Sequence, residues 1–154
     1  MNPETVELIM RRTLLLVLGA VLSAAPLTAQ TREDTLGIRA AAMDYIEGWW
    51  SGSTERMARA LHPALVKRIM AVDSAGNARL GEMGASQLVH NVRMGGGTRT
   101  PEPQRRSDYR LLDIFQNAAT ARIDAGGWID YLQLVKWQGR WVIVNVLWEI
   151  RRPS

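Results

Sequence analysis

Cysteine is absent from the 154 residues. That gap removes disulfides, thiolate metal sites, a cysteine nucleophile and a lipoprotein anchor together. Histidine occurs only at His62 and His90, with no regular ligand spacing, so no metal site is expected. No glycine-rich loop opens a helix, because Gly95-Gly96-Gly97 follows one; a phosphate cradle, and with it a nucleotide cofactor, is not expected. No serine stands in a nucleophile-elbow context. Basic runs alternating with exposed aromatics are missing and the net charge is only +4, which argues against a nucleic-acid partner. No apolar run reaches the roughly 20 residues of a membrane span.

What is present suits one globular domain. Hydrophobic residues make up 47% and charged residues 22%, enough apolar material at this length for a real core. Residues 1–29 have the layout of a secretory signal: Arg11-Arg12, an apolar core over Thr13 to Leu27, and Leu27-Thr28-Ala29 before Gln30. Glu4 and Glu7 are unusual before such a segment and point to Met10 as an alternative start. Residues 30–154 then form the domain, in the periplasm or outside the cell, with no membrane attachment once the signal is cleaved.

The domain is organised around WIDYLQLVKWQGRWVIVNVLWEI, residues 128–150. It reads as a hairpin turning at Gln138-Gly139, where glycine supplies the positive φ of a tight turn. Strict alternation puts Trp128, Asp130, Leu132, Leu134, Trp141, Ile143, Asn145 and Leu147 on one face. Tyr131, Val135, Val142, Val144, Val146 and Trp148 fall on the other. Neither face is polar, so both are expected to pack.

Earlier in the chain, Ile38, Ala41, Ala42, Tyr45, Ile46 and Trp49 form one helical stripe, capped by Asp34 or Thr35. Ser53 or Thr54 caps a second helix that Pro63 stops, with His62 at its boundary. Short strands follow at Leu65 to Val72 and Ala78 to Gly81, around a turn at Ser74 to Asn77. A third helix carries Leu88, Val89 and Val92. From Arg105 the period becomes 2, with strands at Tyr109 to Phe115 and Ala118 to Ala125. Helices first and long antiparallel strands last is an α+β pattern.

The segments AAMDYIEGWWSGSTERMARALHPALVKR (41–68), LLDIFQNAATARI (111–123) and WIDYLQLVKWQGRWVIVNVLWE (128–149) resemble the nuclear transport factor 2-like superfamily. Within it they are similar to the "putative lumazine-binding" branch. The resemblance implies a cone: three N-terminal helices packed on a curved, mainly antiparallel sheet whose concave face encloses a cavity. It assigns the Trp141, Ile143, Asn145 and Leu147 face, and Asp130 with it, to that cavity. Tyr45 falls near the oxyanion-stabilising tyrosine of ketosteroid isomerase, a member of the superfamily, and Asp113 corresponds to that enzyme's second oxyanion acid. Its general base has no counterpart, since Leu65 to Val72 holds no carboxylate and Asp73 comes only at the end.

The candidate residues are thus Asp130, His62 and Tyr45 for acid–base work, and Tyr45, Trp49, Asp113, Asp130, Trp141 and Asn145 for a ligand. Each has a plainer role available: Tyr45 as a satisfied core hydroxyl, Asp130 at the sheet's rim, His62 at a helix end, the tryptophans as core. Two functions follow from this set. One is an exported domain that binds a small apolar or aromatic molecule; the other is an isomerase, dehydratase or cyclase working in the same cavity. A homodimer through Val142, Val144, Val146 and Trp148 is also expected, since that face would otherwise leave a large apolar patch in water.

Overall fold

A computed structural model of the chain describes residues 26–152. The signal segment and the alternative start at Met10 lie almost wholly outside the described residues. The chain divides into two compact units, Met1–Asp34 and Thr35–Ser154, and the second holds the sheet. Helix α1 covers Pro26–Ser51, so Asp34 and Thr35 lie inside it and not at its start. Helix α2, Thr54–Ala60, is capped by the Ser53 hydroxyl accepting from the Arg56 N–H. Strands β1 (Leu61–Val72) and β2 (Ala78–Gly84) follow, then helix α3 (Ala85–Arg93), a short 3-10 turn, and strands β3 (Asp108–Phe115), β4 (Ala118–Asp124), β5 (Trp128–Trp137) and β6 (Arg140–Ile150).

The class is α+β, with two refinements to the expected architecture. The third helix lies between β2 and β3, so the helices are not all N-terminal. The six strands run in the order β2-β1-β6-β5-β4-β3, and β1 pairs with β6 in parallel while the other pairs are antiparallel. Strand β1 also begins earlier than expected. Helix α2 ends at Ala60, and Pro63 sits inside a strand irregularity between Leu61 and Val66, where its missing N–H costs no ladder bond.

The hairpin turns at Gln138 and Gly139, with φ of 50° and 78°, the pair of positive values a two-residue turn needs. Its strands do not keep their alternation to the end. The register steps from Leu134↔Ile143 to Gln133↔Asn145, leaving Val144 as a bulge. Two residues of one strand then oppose one of its partner, and every side chain beyond the bulge changes face. Val146 and Trp148 therefore join Asp130 and Leu132 inside, whereas Asn145 and Leu147 join Gln133 and Tyr131 outside. This corrects both faces expected for the far half of β6.

A second bulge does the same to β3. Leu111 pairs with Ala121 and Asp113 with Thr120, so Leu112 is the extra residue and Asp113 is turned outward and exposed. The core beneath the concave face consists of Ile38, Tyr45, Ile46 and Trp50 from α1 against Ile123, Leu132, Ile143 and Val146. Trp50, rather than Trp49, completes the helical stripe. Trp49 is half-buried under the loop after α3, where Gly97 lies so close that a Cβ would come within 2.5 Å of the indole.

Candidate functional site: a buried lysine–aspartate–tyrosine cluster

Most of the concave face is aliphatic, with one polar cluster in it. Lys67 lies on β1 beside Val146 of β6, and Asp130 lies on β5 beside Trp148 of β6. Its side chain crosses β6 to reach Asp130, while Tyr45 comes down from α1. Lys67 Nζ donates to the Tyr45 hydroxyl and, at 2.8 Å, to Asp130 Oδ1. The Tyr45 hydroxyl donates to the same Oδ1 at 3.2 Å, and Trp128 Nε1 donates to Oδ2 at 2.7 Å. Asp130 is 0% exposed, Tyr45 3% and Lys67 7%.

Aromatic rings wall the cluster. The ammonium of Lys67 sits 4.7 Å from the centre of the Trp148 ring and 5.3 Å from that of Tyr45, a distance at which a ring's negative face attracts a cation. Trp128 leans on Trp50 with centroids 5.2 Å apart, and the Trp50 indole N–H donates to the Arg106 carbonyl. Trp128 and Trp148 are both half-buried, so the cluster comes nearest to solvent beside them.

Burial dominates the proton chemistry. It raises Tyr45 well above its ordinary value of 10.0, and the Asp130 charge pushes the same way. It pulls Lys67 below its ordinary 10.5, against the opposing attraction of Asp130. The tyrosine is therefore held neutral, and the lysine holds its proton less firmly than a surface lysine does.

One more polar group faces inward. Tyr109, Ile123, Asp130 and Trp148 lie side by side on β3, β4, β5 and β6. The Tyr109 hydroxyl is buried with no hydrogen-bond partner; such groups are rare in folded proteins and mark places where a polar atom fits.

The candidate residues are thus sorted by position. Tyr45 and Asp130 are brought into direct contact. Trp141 is buried against Gly37 of α1, where a Cβ would meet its ring at 2.9 Å; that places it in the core at the hairpin-turn end. Asn145 is on the outer face, accepting from Arg68 at 2.6 Å and donating to Gln133 at 2.9 Å. It lies on the face opposite the cluster, as does Asp113. Trp49 is packed under the Gly97 loop.

His62 is also outside the cluster. Its ring meets Trp137 edge-on at 4.7 Å, and its Nδ1 accepts from the Ala64 N–H. Strands β1 and β5 flank β6, so the two rings meet across β6, over the fully buried Val142. Trp137 is seven residues along β5 from Asp130, about 23 Å at strand rise, too far for one reacting atom to touch both. His90 lies on the rim of a separate cleft of about 450 Å³ between α2 and α3. Among the described residues, no group of three or more acidic, histidine or cysteine side chains converges on a metal position.

Lys67 was not among the sequence candidates, yet a signal was present. The chain has 19 basic residues, and only Lys67 and Lys136 are lysine. A lysine two positions from Leu65, on the inward parity of an arginine-rich chain, marks the site.

This α+β arrangement of helices on a six-stranded mixed sheet is the nuclear transport factor 2-like architecture, also termed cystatin-like. An NTF2-like protein from Shewanella baltica superposes with a TM-score of 0.59 at 22% identity, covering 79% of this chain and 96% of that one. One from Methylobacillus flagellatus gives 0.59 at 21% identity, covering 78% and 94%. An NTF2-like protein with a cystatin-like fold from Novosphingobium aromaticivorans gives 0.60 at 14%, covering 86% and 92%. The chain itself belongs to the family described as "Putative lumazine-binding", which it matches over residues 33–149. No curated protein matches it.

Proposed function

We propose that this is an exported domain that binds a small, flat, mostly apolar molecule on its concave face, beside Trp128 and Trp148. The observation that carries the reading is the cluster itself. Lys67, Asp130, Tyr45 and Trp128 satisfy one another and sum to no net charge, so the site favours an uncharged ligand with a polar edge. Pockets of this sort, apolar with a few placed polar groups, are the usual form of a small-molecule site. The family's description names lumazine, a flat, uncharged heteroaromatic with polar edges.

The second reading is an acid–base enzyme. The Tyr45–Asp130 contact favours it; the pairing of Asp130 with Lys67, which leaves no uncommitted base, weighs against it. The apolar residues exposed on the outer sheet face support a homodimer formed through that face.

The test starts with protein recovered from the exported fraction, whose intact mass is expected to place the N-terminus within a few residues of Gln30. Native mass spectrometry then looks for a retained small molecule. Tryptophan fluorescence is titrated with lumazine and with apolar aromatics. Saturable quenching that weakens in Trp148→Ala is the expected result. Protein that carries nothing and shows no saturable quenching rules the reading out.

A further inference from the structure

We propose that Lys67 captures an aromatic aldehyde or ketone as an imine, making this site one for carbonyl compounds that holds them covalently and reversibly. The inference rests on the small-molecule reading above and narrows it. Three features of the cluster carry it. The first is the choice of lysine. This chain uses arginine at 17 of its 19 basic positions, and arginine pairs with carboxylates in a fixed fork but never loses its proton in a protein. Lysine, which stands only at positions 67 and 136, is the cationic side chain that can become a free amine, and of the two Lys67 is the one in the cluster.

The second feature is the company it keeps. Asp130 Oδ1, at 2.8 Å from Nζ, can receive the ammonium proton, and the neutral Tyr45 hydroxyl touches both groups. A nucleophilic lysine needs such an apolar setting and a neighbouring proton acceptor. Burial lowers the lysine's hold on its proton and outweighs the attraction of the Asp130 charge, which acts the other way. The third feature is the Trp148 ring, 4.7 Å from Nζ, a flat wall against which an aromatic carbonyl compound can lie with its reactive carbon near the nitrogen.

The step balances without an oxidant or reductant. Lys67 gives a proton to Asp130, and the freed amine attacks the carbonyl carbon while Tyr45 turns its hydrogen bond to the carbonyl oxygen. The adduct moves one N–H proton to its oxygen to give the carbinolamine, which takes the proton held by Asp130 onto its hydroxyl and loses water as the C=N bond closes, leaving a protonated imine beside the Asp130 carboxylate. One carbonyl compound and one ammonium give one protonated imine and one water.

The experiment uses the full chain, 2-naphthaldehyde and sodium cyanoborohydride, which fixes an imine as a stable amine. Intact mass and peptide mapping give the labelling rates at Lys67, Lys136 and the α-amine. Lys67 is expected to be labelled about tenfold faster than Lys136 in the folded protein, as held reactants outrun free ones. That preference is expected to disappear in guanidinium, where both side chains are equally open, and the Lys67 adduct to be lost in Lys67→Arg. Labelling confined to Lys136 and the α-amine of folded protein overturns the inference. A parallel fluorescence titration with 2-naphthalenemethanol, which cannot form an imine, separates the two claims. If the alcohol binds while Lys67 stays unlabelled, imine capture fails and the binding reading stands. If neither compound quenches nor labels, both fall.

Discussion

Asp130 takes hydrogen bonds from three side chains while being fully buried, and its loss would strand a buried ammonium. Asp130→Ala is expected to cost about 3–5 kcal/mol, since removing one partner leaves the other charge uncompensated. Lys67→Met combined with Asp130→Leu is expected to recover most of that. Urea unfolding measures both; a single variant within about 0.5 kcal/mol of wild type, the range of a neutral surface change, would rule out a buried pair. Tyr45 gives an alkaline signature. Its folded pKa is raised above 10.0, so above that pH the unfolded chain loses a proton that the folded protein keeps, and stability falls as pH rises. Lys67, lowered from 10.5, contributes the opposite slope below that value. The stability gap between wild type and Tyr45→Phe is therefore expected to narrow above pH 10.0; a constant gap would mean that Tyr45 ionises equally in both states. Tyr45 and Asp130 were legible in the sequence because both keep the parity of buried neighbours. Lys67 was not legible because a lone cation among the apolar residues of β1 looks like a solvated side chain until the partner across β6 is known.

At the scale of elements, the turn and the succession of strands along the chain were readable because their signals are local. Gln138-Gly139 forms the tight turn with φ of 50° and 78°, and nothing crowds Gly139. Gly139→Ala is thus a test of backbone conformation alone, expected to cost about 1–2 kcal/mol from its Cβ. Thermal unfolding checks it, and an unchanged midpoint would mean that the turn relaxes into another type. The bulges at Leu112 and Val144 were not readable. Each follows apolar residues on both parities, so the alternation carries no mark of the slip. That single cause misplaced Asp113, Asn145, Leu147, Val146 and Trp148. The parallel pairing of β1 with β6 was hidden for a different reason: it joins segments far apart in the chain and leaves no local trace.

For the whole molecule, the corrected outer face changes the expected dimer. Val142 and Val146 are fully buried, and Trp148 faces Lys67, so three of the four residues expected at an interface are committed inside the protomer. Met70, Leu80, Tyr131 and Leu147 take their place, at 44%, 55%, 45% and 50% exposure. They surround the Arg68, Asn145 and Gln133 hydrogen bonds, giving the apolar and polar mixture of a protein interface. Light scattering of the protein is expected to give a two-fold dimer at micromolar concentration and a monomer for Leu147→Glu. A wild-type monomer of the same solubility as the variant would reject the interface.

The sheet order has a consequence in time. The strand at Arg140–Ile150 is made last of the six, yet it sits between β1 and β5 and joins what would otherwise be two separate pieces of sheet. Until it arrives, Lys67 and Asp130 are on different pieces, and neither the ion pair nor the Trp148 wall exists. The ion pair, the Trp148 contact and the closed sheet are thus completed together, by the strand made last of the six. Folding of such a sheet is late and global, since its central pairing joins segments far apart in the chain.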